Sequence, residues 1–297
     1  MYPICYSVVM AHRGALVSLS IALVLWSLTF PLVRAMLGEV PIEALLALRF
    51  TAAAVLLFAW WAVKGKTLPR GRDFWLTAGS GFCCVTAYQL LSTHGIRTVA
   101  SGPASVLVDT MPIFATVFSV FLLNHRANWR TWTGLGIAFA GAAIIALGES
   151  QGKLQLNFGV GLLLLAALIF GIGTVAQKPV MKRYDSLGVT AVSFAAGALA
   201  MLCFSPNLLA ISRQIPTRHI FTIAFLAVGP GALAYALWGH ALSKLPVSKA
   251  SASLLLIGPL TFLIAWLFFG EIPATASMIG AAFACGGVLL VHSDQTA

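Results

Sequence analysis

Ala87-Tyr88-Gln89-Leu90 and Ala234-Tyr235-Ala236-Leu237 stand 147 positions apart, and the residues after them keep that spacing: Ser101 answers Ser248, Leu107 answers Leu254 and Pro112 answers Pro259. One duplicated unit therefore fills the chain. Each copy holds five apolar runs, and an odd number of membrane crossings turns the second copy upside down. Inverted repeats of this kind point to a carrier architecture.

The surrounding composition decides the solvent. Hydrophobic residues make up 60% of the 297 positions and charged residues 9%, with a mean hydropathy of +0.95, which excludes an ordinary soluble domain. Spans of about 20 residues with short connections allow roughly ten helices and leave no room for a soluble catalytic module. The net charge of +10 would suggest nucleic acid in a soluble protein. Here the Lys and Arg residues gather between apolar runs, as membrane topology requires, and no nucleic-acid partner is expected. Cys83, Cys84, Cys203 and Cys285 sit inside apolar runs and Cys5 precedes the first, so no disulfide framework or metal-binding spacing arises. The opening Met1 to Met10 lacks the charged region of a signal peptide, and initiation at Met10 is an alternative to Met1.

Apolar runs bounded by Gly, Pro and charge place spans near 14–36, 43–63, 74–94, 101–123 and 131–148, then 158–178, 186–205, 219–241, 249–270 and 275–292. The fold class expected is an all-α integral membrane protein of ten transmembrane helices. It is organised as a first five-helix repeat (1–148), an external connection (149–157) and a second repeat (158–297). With the N-terminus inside, twelve basic residues, among them Arg13, Lys64, Arg126, Lys178, Lys182, Arg183, Lys244 and Lys249, fall on the cytoplasmic side. Arg34, Arg97, Lys153, Arg213 and Arg218 fall outside. This positive-inside bias puts both termini in the cytoplasm of a cell membrane of the bacterial inner-membrane type. Gly134, Ala138 and Gly141 of the fifth span answer Gly280, Ala284 and Gly287 of the tenth, so these spans should pack closely as scaffold. Intramolecular packing is the preferred use of that face; a homodimer is the alternative to a monomer.

A charged side chain in the bilayer core costs about 2.5–3.5 kcal/mol on insertion scales and needs a partner or a wet cavity. Arg49 lies about 9 Å along its helix from Glu43 and Asp109 about 12 Å from Ser101, both on spans entering from outside, so the two match in depth. Asp109 could take a proton or a substrate amine, with Arg49 as counter-ion or carboxylate clamp; the alternative is a structural ion pair. Pro112 and Pro259 each lack the N–H that would bond the carbonyl one turn back, at Val108 and Leu255, which marks them as hinges. Trp26 at mid-span, Tyr88 and Gln89 at the depth of Arg49, and Tyr235 and Trp238 nearer the inner side complete a path for a semi-apolar organic solute. His94 and His240 lie near span ends and rank low as proton carriers. Gly148-Glu149-Ser150-Gln151-Gly152 fits the G-x-S-x-G pattern, but a connection between membrane spans is not the strand–turn–helix that a nucleophile elbow needs. No zinc, ATP or dinucleotide motif is present, and no cofactor or metal is expected.

The run Phe225-Leu226-Ala227-Val228-Gly229-Pro230-Gly231-Ala232-Leu233-Ala234-Tyr235, leading into Ala250-Ser251, Pro259 and Gly270-Glu271, resembles the second repeat of EamA-like members of the drug/metabolite transporter superfamily. Leu25-Trp26-Ser27, Leu48-Arg49-Phe50 and Pro112 extend the resemblance through the first half. It implies ten helices, inverted repeats, alternating access and solute export or exchange without ATP. Asn124-His125 stands opposite Gly270-Glu271 one residue out of register, and Asp109 is matched by Leu256, so the Asp109 charge belongs to the first copy alone. The function expected is secondary transport of small organic metabolites, amino-acid-like or amphipathic, with proton coupling and passive uniport both open. A membrane enzyme acting on lipid-linked substrates is the alternative, but eight acidic residues scattered mostly among loops disfavour it. A non-transporting structural subunit is the other, and it predicts no polar path.

Overall fold

The computed structural model describes residues 2–34, 36, 39–64, 67–99, 101–150, 158–205, 207–213, 215–269 and 275–294. Most of the 149–157 connection, the end of the G-x-S-x-G match and the Gly270-Glu271 pair lie outside these residues. Every regular element among them is helical, and no strand occurs. Among the described residues, six helical segments are long and apolar enough to cross a membrane: Ile42–Lys64, Val106–Leu123 with a turn at Asp109 and Thr110, Phe158–Met181, Ser186–Cys203, Thr217–Lys244 and Thr275–His292. Two shorter apolar helices, Arg13–Ser27 and Val247–Thr261, accompany them. Phe121, Leu199, Phe221 and Leu289 are exposed on these helices, which hydrocarbon tolerates and water does not.

The chain forms two compact units, Met1–Phe82 with Ala176–Pro246 and Cys83–Val175 with Val247–Ala297, so each draws on both sequence halves. In the first, Ile42–Lys64 packs on Ser186–Cys203 and Tyr2–Ser27 packs on Ala234–Lys244. Phe50, Leu57, Met201, Leu226 and Leu242 are its fully buried centre. Between the short helix Thr29–Arg34 and Ile42–Lys64, Met36 and Val40 pack with Leu45, Ile223 and Leu226.

In the second unit, Trp129–Ser150 and Thr275–His292 lie backbone to backbone. A Cβ on Gly134 would come within 2.6 Å of the Gly287 carbonyl oxygen, and one on Gly141 within 2.5 Å of the Ala284 nitrogen. Glycine is required here by approach distance. In hydrocarbon, where hydrophobicity does not drive helices together, such contact supplies the dispersion that does. Leu135, Ala138, Ala142, Ala252, Leu255, Val288 and Val291 fill the adjoining core.

Two kinds of helix irregularity recur at repeat-related places. The fourth run breaks before Pro112: Ser101–Val108 ends, Asp109 and Thr110 form a turn, and Met111–Leu123 begins. Thr110 closes that turn through its N–H and its hydroxyl, both donating to the Leu107 carbonyl at 3.3 and 2.6 Å. Before Pro259 the ninth run tightens from Val247–Ala252 into a 3-10 turn, Ser253–Leu256, and resumes as Ile257–Phe269. π-helical stretches at Phe82–Ala87 and Ala227–Leu233 run up to the two Ala-Tyr pairs. Pro230 explains the second, since it cannot donate to Leu226 and the ladder shifts to i→i+5, as in the Ala234 N–H bond to the Gly229 carbonyl. The first contains no proline, and nothing local explains it. Asn124 closes Met111–Leu123 in the left-handed conformation (φ 50°), with the His125 N–H on the Ser119 carbonyl at 3.2 Å. Asn tolerates that conformation better than most side chains, so it can end this helix without glycine.

Candidate functional site

The π-helical turn at Ala227–Leu233 directs the Pro230 carbonyl at the first helix, and the Trp26 indole N–H donates to it at 3.1 Å. This bond fixes the Trp26 ring. Tyr235 and Trp238 are three residues apart on Ala234–Lys244 and so share a face. Their rings meet Trp26 at 4.9 Å, edge-on at 69°, and at 5.6 Å. Phe194 continues the series from Tyr235 at 4.5 Å, Phe50 lies 5.9 Å beyond it, and the Arg49 guanidinium stands 5.1 Å from the Phe50 ring centre. Edge-to-face contacts at these separations are each worth about 0.5–1.5 kcal/mol beyond area burial. Trp26, Trp238, Phe194, Phe50 and Arg49 are all buried, and Tyr235 is the half-buried ring of the series. The arrangement is a packed aromatic wall ending in a cation, with Tyr235 as its partly open face.

Three of the residues expected on a path, Trp26, Tyr235 and Trp238, are thus brought together, and Arg49 adjoins them through Phe50. Trp26, counted at mid-span, and Tyr235, counted nearer the inner side, have their rings in contact at 4.9 Å.

The remaining residues lie in the second unit. Tyr88 meets Phe170 at 5.0 Å, and the Cys84 thiol reaches the Phe170 carbonyl at 3.7 Å. Gln89 is half-buried, and its backbone carbonyl accepts from the Ser92 hydroxyl at 3.1 Å. Asp109 is half-buried in the turn between Ser101–Val108 and Met111–Leu123, three residues before Pro112. Pro112 is buried at the start of Met111–Leu123, and Pro259 is half-buried in the first turn of Ile257–Phe269.

Sequence reasoning missed Phe194, Phe50 and Phe170, which are ordinary apolar residues until a partner ring is known. It also missed a buried polar junction in the first unit, where the Gln177 amide donates to the Ser80 and Ser193 hydroxyls at 2.6 and 3.2 Å. An uncharged amide inside an apolar run was the available signal. Lys249, one of the cations counted on the cytoplasmic side, is buried, its ammonium donating to the Asp294 backbone carbonyl. The Asp294 carboxylate accepts from the Thr131 hydroxyl at 2.7 Å, and His292 Nε2 meets the Ser253 hydroxyl at 2.9 Å. These bonds tie the end of Thr275–His292 to the starts of Trp129–Ser150 and Val247–Ala252.

Comparison with known proteins assigns this architecture. The EamA-like transporter family model matches twice, over residues 13–147 and 157–293. The "Probable terminal-alkyne amino-acid exporter" of Streptantibioticus cattleyicolor is 30% identical over 275 residues, covering 93% of this chain and 92% of its own. The "Uncharacterized transporter YdfC" of Bacillus subtilis is also 30% identical, covering 93% of this chain and 90% of its own. One solved crystal structure matches with a TM-score of 0.78 over 94% of this chain and 96% of its own at 21% identity, a likeness of fold alone. With its apolar helices, its duplicated sequence and these relatives, the chain is a multi-pass membrane protein that belongs to the EamA-like transporter family, among the drug/metabolite transporters.

Proposed function

We propose that this protein is a secondary carrier of the cytoplasmic membrane that exports or exchanges small amino-acid-like or amphipathic solutes by alternating access. Its ten helices form two inverted repeats, 1–148 and 158–297, with the 149–157 connection outside and both termini in the cytoplasm. The observation that carries this reading is the pairing of irregularities across the repeat, a π stretch at each Ala-Tyr pair, a two-residue turn before Pro112 and a 3-10 turn before Pro259. A bundle serving only as structure has no use for matched weak points in both copies, whereas a carrier bends there. In the first unit, Trp26, Tyr235 and Trp238 are the pathway aromatics and Arg49 the cation for a solute carboxylate. In the second, Tyr88 and Gln89 are pathway residues and Asp109 takes a substrate amine or a coupling proton. One 30%-identical relative is named for amino-acid export, which supports the substrate class.

The test is counterflow in proteoliposomes containing only this protein. Vesicles preloaded with an unlabelled amino acid, or an apolar side-chain derivative of one, should accelerate entry of the labelled compound. Asp109→Asn should remain folded and lose pH-dependent transport. Arg49→Gln should likewise remain folded and lose transport of carboxylate-bearing solutes. Absence of counterflow across the whole amino-acid panel refutes the substrate class, and an unchanged pH profile in Asp109→Asn refutes the role of that carboxyl.

A further inference from the structure

Three lysines meet where two helices of the first unit end. Lys178 is in the last turn of Phe158–Met181, Lys182 comes one turn later, and Lys244 is the final residue of Ala234–Lys244. The Lys178 ammonium donates to the carbonyls of Leu242 and Leu245, two of the acceptors that the end of Ala234–Lys244 leaves open. That bond pair pins a cation beside Lys244, and Lys178 feels the charges of both Lys182 and Lys244. Like charges one turn apart on a helix repel, and a third cation adds to the repulsion. No carboxylate pairs with any of the three among the described residues. Of the nearby acids, Asp73 is held by Arg183 at 2.7 Å, and the Asp185 carboxylate caps Ser186–Cys203 by accepting from the Leu187 N–H at 3.2 Å.

Membrane topology accounts for lysines at this level of the bilayer, but not for three of them converging from two helices with one pinned in place. Trp75, two residues beyond Asp73, is 73% exposed, an aromatic at the depth where headgroups lie. Lys182 and Lys244 are exposed beside the pinned Lys178. We infer that Lys178, Lys182 and Lys244 form a binding site for the phosphate of an anionic phospholipid headgroup, with Lys182 and Lys244 as its mobile arms and Lys178 as its fixed floor. The lipid supplies the missing negative charge and holds the ends of Phe158–Met181 and Ala234–Lys244 together.

The experiment uses the full chain in nanodiscs of phosphatidylcholine with and without phosphatidylglycerol, reading lipid retention by native mass spectrometry and the thermal midpoint of unfolding. The wild type should retain phosphatidylglycerol in preference to phosphatidylcholine and melt higher when it is present. Each of Lys182→Gln and Lys244→Gln should weaken retention about fivefold and the double variant about 25-fold, as expected for roughly 1 kcal/mol per lysine at a membrane surface. Lys182→Arg with Lys244→Arg should keep it. The single variants carry the test if the double glutamine variant does not fold. Equal retention by wild type and glutamine variants overturns the site. So does inorganic phosphate reproducing the stabilisation in phosphatidylcholine discs, since that would make the ligand a free anion. Counterflow in phosphatidylcholine vesicles should not change in these variants, which keeps failure of this site distinct from failure of the carrier reading.

Discussion

Gly286 and Gly287 are neighbours on Thr275–His292 with opposite surroundings, and substituting alanine at each gives a matched experiment on the helix seam. A Cβ at Gly287 would lie 2.4 Å from the Ala138 nitrogen, 2.5 Å from the Gly134 oxygen and 2.8 Å from the Ala138 α-carbon; at Gly286 it meets nothing within 4 Å. All three obstacles are backbone, which cannot rotate away as a side chain can. Restoring ordinary contact requires Trp129–Ser150 and Thr275–His292 to part by about 1 Å, and close-packed interiors transmit such a shift rather than absorb it. Both substitutions gain the same helix propensity, about 0.5–1 kcal/mol. The difference between them therefore isolates the packing cost, about 1–3 kcal/mol for overpacking. Purified variants unfolded in mixed micelles by a graded denaturing detergent should show Gly287→Ala less stable than Gly286→Ala by that amount. Equal stabilities, or a more stable Gly287→Ala, would refute the close-approach reading of these helices.

Two further outcomes rest on charges held in the fold. Asp294→Asn should destabilise the protein by about 1 kcal/mol or less in the same unfolding assay, because it strips a negative charge from the neighbourhood of the Lys249 ammonium while leaving the backbone carbonyl that holds it. Adding Lys249→Met should recover most of the loss, and no recovery would mean that the charge is not the cause. Glu39 is bonded by Arg218 and by His219 Nε2, the latter at 2.6 Å, and the Arg218 bond first, then His219, holds its carboxyl below the usual 4.5. A depressed acid stabilises the fold above its unfolded value and loses that contribution as pH falls through its folded value. The stability difference between wild type and Glu39→Gln should therefore persist at neutral pH and fade as pH falls below about 4.5 through the lower folded value. A difference that shrinks already between pH 8 and pH 6 would contradict this assignment.

The candidate site was legible in sequence only in part, and the division has a physical cause. Prolines act locally: the missing N–H at Pro112 and Pro259 is visible in one dimension, and both helices are interrupted just before them. Tyr88, Tyr235 and Trp26 could be singled out as aromatics inside polar-poor runs. Their partners could not, because Phe50, Phe170 and Phe194 differ from any lipid-facing phenylalanine only in what they touch. The burial of Lys249 was hidden for the complementary reason. A cation at the edge of an apolar run ordinarily seeks headgroups, and its burial depends on a carbonyl 45 positions away.

By itself the sequence determined that this chain lives in a membrane, that it is a duplication, and where its helices must weaken. Those properties come from transfer free energy, repetition and backbone chemistry, each of which acts on residues in order. Apart from the close packing of the glycine-lined fifth and tenth spans, only the tertiary structure decided which helices are neighbours, and with them the Trp26–Tyr235–Phe194–Phe50 wall, the lysine cluster at two helix ends and two compact units each drawn from both halves. In water the apolar stripe of a helix announces its buried face; in hydrocarbon both faces are apolar, so the pattern that normally encodes helix neighbours is missing from the sequence.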